Sequence, residues 1–175
     1  MPALKECYIN PYSIPRLFVE DTGIADNEYL VLDPSENKAT LVKNKAPKKY
    51  EKVFSKVLYG SLLGEIIDTV AQRVVRDFIV VMPPSYKRGL YVPKQSKIVP
   101  IPMEGFRVSL EICEGMEISK GETIGYIVTK KGEIRHIRSH VYGVISYIYS
   151  DPASTLDKYI VFISPKEEVR FIEIR

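Results

Sequence analysis

Four glycines set among short apolar runs, Gly105, Gly115, Gly121 and Gly143, constrain this chain more than any other feature. They stand ten, six and twenty-two residues apart. Glycine reaches positive φ without steric cost, so such a ladder marks where a chain turns. Between the glycines the apolar residues recur with period two. Phe106, Val108, Leu110 and Ile112 alternate with Arg107, Ser109, Glu111 and Cys113, as in a strand with one buried face. Residues 114–122 set Ile118, with Met116 before it, among polar residues and glycines, which predicts two close turns pinning Ile118 as a core side chain. Residues 123–129 read as a further strand, Lys130-Lys131-Gly132-Glu133 as a hairpin tip, and residues 134–140 as the returning strand. Val141-Tyr142-Gly143-Val144-Ile145 echoes Met103-Glu104-Gly105-Phe106-Arg107, so the segment divides into two similar halves.

Pro102-Met103-Glu104-Gly105, the Gly115 to Gly121 turn with Glu122 behind it, and Val141-Tyr142-Gly143-Val144-Ile145 together resemble the biotinyl/lipoyl-attachment domain, a barrel-sandwich hybrid. The resemblance covers roughly residues 96–150. It implies two interlocked β lobes with a prosthetic lysine at the hairpin between them. Counted forward from Gly121, that position is Lys131; counted back from Gly143, it falls on Gly132. The returning arm is therefore one residue longer than the family's, which displaces the lysine from the tip. The lysine sits in Thr129-Lys130-Lys131-Gly132, where a biotinyl site has Ala-Met-Lys-Met and a lipoyl site Asp-Lys-Ala, and His140 replaces the second proline. As a whole the chain resembles an uncharacterised archaeal family with such a hybrid at its C-terminal end, a resemblance that supplies no activity.

The N-terminal portion, residues 1–95, reads as a separate α+β unit. Residues 16–20, 28–33 and 38–42 predict short strands of a small meander. From about residue 50 to 77, apolar pairs such as Val53/Phe54, Val57/Leu58, Ile66/Ile67 and Val74/Val75 recur every three to four residues. That spacing predicts a helix interrupted near Gly60 and Gly64, entered after Pro47. A strand over residues 78–82 ends at Pro83-Pro84, and residues 86–92 pair with it. Pro93-Lys94-Gln95-Ser96 is the predicted linker to the second domain, 96–175, which ends in a strand hairpin around Ser164-Pro165-Lys166-Glu167.

The fold class expected is thus an α+β unit followed by an all-β barrel-sandwich hybrid. At 175 residues and 45% hydrophobic content the chain can bury a substantial core. No apolar run is long enough for a membrane span, and the first residues lack an apolar signal core, which points to the cytoplasm. Cys7 and Cys113 carry no metal or redox motif and are expected to be reduced. Two Gln and four Asn beside abundant Lys, Glu, Ile and Val match heat-adapted composition.

Catalytic motifs are lacking: there is no Gly-x-Ser-x-Gly, no His-Glu-x-x-His and no phosphate loop in a strand-to-helix setting. His136, Arg138 and His140 share one face of a predicted strand, and i and i+4 on a strand stand about 13 Å apart, too far to share one metal ion. No metal site is expected. Lys38, Lys43, Lys45, Lys48, Lys49, Lys52 and Lys56 crowd nineteen residues with one acid, Glu51, a pattern able to neutralise phosphates, though net charge is only +3. Tyr142, Tyr147 and Tyr149 are expected to cover the barrel with their hydroxyls wet, or to meet a partner.

The functional expectation is a non-catalytic cytoplasmic interaction or assembly protein whose hybrid domain is degenerate and unmodified, with a protein partner, no cofactor and scope for homo-oligomers. The alternative is a carrier with biotin or a lipoyl group on Lys131, swinging a carboxyl or acyl group between enzymes. A weaker alternative is nucleic-acid binding through Lys43, Lys45, Lys48, Lys49 and Lys52.

Overall fold

The computed structural model describes residues 14–20, 28–46, 52–61 and 63–175. Its first half gives β1 (Arg16–Glu20), β2 (Glu28–Asp33), β3 (Lys38–Lys43), β4 (Lys52–Val57), one helical turn α1 (Leu63–Ile66), β5 (Ile67–Asp68), β6 (Arg73–Val74), β7 (Phe78–Met82) and β8 (Arg88–Val92). Six of these strands close a barrel together with the final strand, β16 (Arg170–Ile174). The order is β1-β4-β2-β3-β16-β8-β7, with β7 pairing back onto β1. Among the described strands only the β3–β16 pair is parallel. Closure removes the free edges that an open sheet would expose.

The α+β N-terminal unit is therefore corrected to a nearly all-β one. Of residues 50–77, predicted as an interrupted helix, the described part gives β4, the four residues of α1 and the short β5–β6 hairpin. The apolar pairs arise from three different environments. Phe54 fills the barrel, Ile66, Ile67 and Val74 pack against its outside, and Leu58 and Val70 are exposed. β-Branched Val and Ile dominate the pairs, and Gly60 at φ 88° turns the chain just after β4, both of which work against a helix. The meander is corrected too, because β4 inserts between β1 and β2. Cys7, Pro47, Lys48 and Lys49 lie outside the described residues.

Three central strands of the barrel are buried on both faces. On β7, Ile79 and Val81 point into the barrel while Phe78 and Val80 point outward into a second cluster. On β1, Phe18 goes in and Leu17 and Val19 go out; on β8, Tyr91 goes in and Leu90 and Val92 go out. Strands of this kind read as unbroken hydrophobic runs, as Phe78-Ile79-Val80-Val81 does.

The remaining strands are β9 (Val99–Gly105), β10 (Arg107–Leu110), β11 (Glu117–Ile118), β12 (Thr123–Val128), β13 (Ile134–Arg138), β14 (Gly143–Ser150) and β15 (Asp157–Ser164). They form two antiparallel sheets, β10-β12-β13 and β11-β14-β15-β9. Ile101, Ile112, Ile118, Ile124, Ile145 and Ile163 lie in the one core cluster these sheets share. Ile118 is pinned between turns at Gly115 and Gly121, both at positive φ, as the sequence predicts.

A hydrophobic seam joins this half-barrel to the closed barrel. On β14, Ile145 and Ile148 face the half-barrel core, and Val144 and Tyr147 face the outer cluster of β1, β7 and β8. β15 does the same with Val161 and Ile163 against Phe162. The connection at residues 93–96 is fixed as well. Ser96 is buried, its carbonyl accepts the Val74 amide at 3.0 Å, and Ile98 beyond it is fully buried.

The C-terminal hairpin expected around residues 164–167 does not form. β15 stays with β14 and β9, whereas β16 crosses after a 3-10 turn (Lys166–Glu168) to pair with β8 and β3. Val169, buried in the seam, and Ile172, buried in the barrel, draw it there. Cys113 is disulfide-bonded, which corrects the expectation of a reduced thiol.

Candidate functional site

The β12–β13 hairpin is the site on which the sequence-based expectations converge. Its last strand pair is Val128 and Ile134. Beyond it the Thr129 amide donates to Glu133 O at 2.9 Å, the Gly132 amide donates to Thr129 O at 2.9 Å, and the Glu133 amide donates to Thr129 Oγ1 at 3.1 Å. Lys130 and Lys131 therefore occupy the two central positions of a β-turn, and Gly132 follows at φ 81°. This is the three-residue hairpin loop, with a left-handed glycine closing it. The extra residue of the returning arm is absorbed at Gly132, so Lys131 is not displaced: it stands exposed at the tip.

On β13, His136 and Arg138 share a face, with the His136 ring 6.1 Å from that of Tyr126 and Arg138 Nη1 donating to Gly121 O at 3.1 Å. The strand ends at Arg138, so His140 falls beyond it. There it lines an open depression of about 400 Å³ with Lys120, Tyr142, Pro165 and Lys166. Among the described residues no cluster of His, Cys, Asp or Glu is placed to hold a metal ion.

Among the described residues, Lys38, Lys43, Lys52 and Lys56 of the lysine-rich stretch each meet an acid from outside it. Glu28 takes both Lys43, at 3.1 Å, and Lys56, at 2.8 Å, and these hydrogen bonds hold its carboxyl below the usual range. Lys38 lies 3.5 Å from Glu36. Lys52 Nζ stands 2.5 Å from Asp77 Oδ2 and donates to the Tyr91 hydroxyl at 3.1 Å. Burial works to raise the Asp77 carboxyl, yet hydrogen bonds from Lys52, the Lys94 amide and Tyr91 hold it below its ordinary value. Of the candidate phosphate contacts, Lys43 and Lys52 are ion-paired and Lys45 is exposed.

Sequence reasoning passed over a polar cluster inside the seam. Tyr147 is fully buried rather than wet, and its hydroxyl accepts the Gly60 amide at 2.9 Å; burial pushes that phenol up to about 12. The Tyr59 hydroxyl donates to Glu114 Oε1. The available signal was Tyr147 itself, flanked by Ile145, Ser146 and Ile148 in a strand with no charged residue through residues 143–150.

Among known proteins, the chain is 28% identical over 167 residues to the Uncharacterized protein MJ0859 of Methanocaldococcus jannaschii, an alignment covering 94% of this chain and 99% of that one. A family profile described as "Uncharacterized protein conserved in archaea (DUF2118)" matches residues 12–166. With nearly all of its β framework inside that match, this chain belongs to the DUF2118 family.

Proposed function

We propose that this protein is a non-catalytic assembly module in which a degenerate, unmodified biotinyl/lipoyl-like hybrid is fused to a closed barrel. The hybrid assignment is supported by the two sheets facing one another across a single core and by the lysine-tipped hairpin between glycine-marked halves. The observation that carries the functional reading is the seam. A swinging carrier works as a domain free to travel between enzyme sites, but here one face of β14 and β15 is buried against the barrel through Val144, Tyr147 and Phe162. The chain then returns into that barrel through β16, so the hairpin rides on a rigid body. Rigid bodies with large buried seams hold geometry between partners better than they deliver cargo.

The test is the mass of the protein purified from its native source, together with the stoichiometry of whatever assembly it enters. The expected result is an unmodified chain in a defined complex. A biotinyl or lipoyl mass on Lys131, lost in Lys131→Ala, overturns it.

One observation favours the carrier as a second reading: Lys131 is exposed on a tight turn, the presentation an attaching enzyme needs. Its Lys130 and Gly132 flanks remain unlike either attachment motif. Nucleic-acid binding has less support, since Lys43, Lys52 and Lys56 already have acidic partners.

A further inference from the structure

The two sheets of the half-barrel have four edges, and three are closed by recognisable devices. β9 carries Pro100 and Pro102, which have no amide to offer. β11 is only two residues long. On β10 the Val108 amide donates to Asp157 Oδ2 at 3.1 Å, so a side chain already occupies that edge. β13 is different. Among the described residues it pairs with β12 alone, it runs for five residues without proline or glycine, and Ile134 at its start is 62% exposed.

The direction of its backbone groups follows from the bonds on either side. Glu133 O accepts from the Thr129 amide, and the Ser139 amide donates to Glu122 O at 2.9 Å. Antiparallel ladders alternate, so Arg135 and Ile137 bond toward β12, while the amides of Ile134, His136 and Arg138 point away from it. Around this open row residues 129–141 carry Lys130, Lys131, Arg135 and Arg138 against one acid, Glu133, which pairs with Arg135 at 3.4 Å. A second β13 laid antiparallel would bring two net-positive edges together, which disfavours self-pairing. The same charges favour an acidic strand.

We propose that the open edge of β13 receives an acidic, extended segment of a partner protein as an added strand, an inference that rests on the assembly reading and specifies its docking surface. Backbone hydrogen bonds to Ile134, His136 and Arg138 supply the pairing, and Arg135, Arg138 and the tip lysines select the charge.

The test is fluorescence anisotropy on the full chain with a short labelled peptide of alternating Glu and Val. Saturable binding is expected, weakened by about tenfold or more in His136→Pro, which removes an outward amide without touching a ladder bond. Circular dichroism and the unfolding midpoint verify that this variant folds. Independently, Arg135→Glu with Arg138→Glu is expected to shift preference to a Lys–Val peptide. Failure of the Glu–Val peptide to bind, or equal binding to wild type and His136→Pro, overturns the proposal. So does preferential binding of a single-stranded oligonucleotide, or a dimer that His136→Pro dissolves. None of these outcomes alters the mass at Lys131, so failure of the edge and failure of the assembly reading are told apart.

Discussion

Tyr59 and Glu114, fifty-five positions apart, share a hydrogen bond inside the seam: the loop leaving β4 donates a phenol to the turn between β10 and β11. The same hydroxyl accepts the Ile148 amide at 3.0 Å, and the Tyr59 ring stands 4.9 Å from that of Tyr147. Two tyrosine hydroxyls therefore stitch this loop to the half-barrel, one through Ile148 and Glu114 and one through Gly60.

Tyr59→Phe keeps the ring but leaves the Ile148 amide without its acceptor and Glu114 without its donor. A loss of about 1–3 kcal/mol is expected in denaturant unfolding. An unchanged midpoint with unchanged slope would show that the hydroxyl is not holding the seam.

Burial raises the Glu114 carboxyl above its ordinary value of 4.5, against the opposing hydrogen bond from Tyr59. A folded pKa above the unfolded one means that the folded state binds the proton more tightly. Its contribution is fully present below the unfolded value and is lost as pH rises through the folded one. Glu114→Gln is expected to remove this decline, so the two stability-versus-pH curves converge in acid and separate toward neutral pH. Parallel curves across that window would refute the assignment.

Asp77 has the opposite sign. Its carboxyl is held below 3.8 by Lys52, Tyr91 and the Lys94 amide despite burial. The stability it supplies is present above that unfolded value and lost as pH falls through the folded one. Asp77→Asn should cost about 1–3 kcal/mol at neutral pH, a figure kept low because Lys52 retains partial contact with water. It should also flatten the acid limb, and a variant that keeps the full acid limb would locate that titration elsewhere.

How much of this was legible in the sequence depended on the range of the contacts involved. The strands between residues 106 and 149 follow from alternation and glycine spacing, both local signals, and β10, β12, β13 and β14 stand there. β10 is limited to Arg107–Leu110, however, and Phe106, expected on the buried face, is exposed. The helical pattern over residues 50–77 arises because the apolar pairs are buried against different partners: Phe54 by the barrel interior, Ile67 and Val74 by the seam. Nothing within a short window tells such residues from one helical face. The acidic partners of Lys43, Lys52 and Lys56 are hidden for a similar reason, since Glu28 and Asp77 lie outside the stretch. The open edge of β13 depends on strand order, which pattern alone does not fix.

The glycines of the half-barrel separate into positions of unequal consequence. At Gly143 an added Cβ would overlap the backbone oxygen of Ser164 and come within 2.8 Å of Ile163 Cγ2, because β14 passes close over the end of β15 there. Backbone cannot yield as a side-chain tip can, so relief requires shifting the β14–β15 pair that joins the half-barrel core to the seam. With the positive φ of 155° at Gly143 adding backbone strain to the overlap, Gly143→Ala is expected to cost about 2–3 kcal/mol. At Gly132 an added Cβ meets nothing within 4 Å, and the only penalty is the positive φ of 81°. Gly132→Ala is expected to cost about 1 kcal/mol and to leave the fold unchanged. Chemical denaturation of the two variants side by side decides the matter: equal losses would mean that the approach of Gly143 to Ser164 is not what the glycine is there to permit.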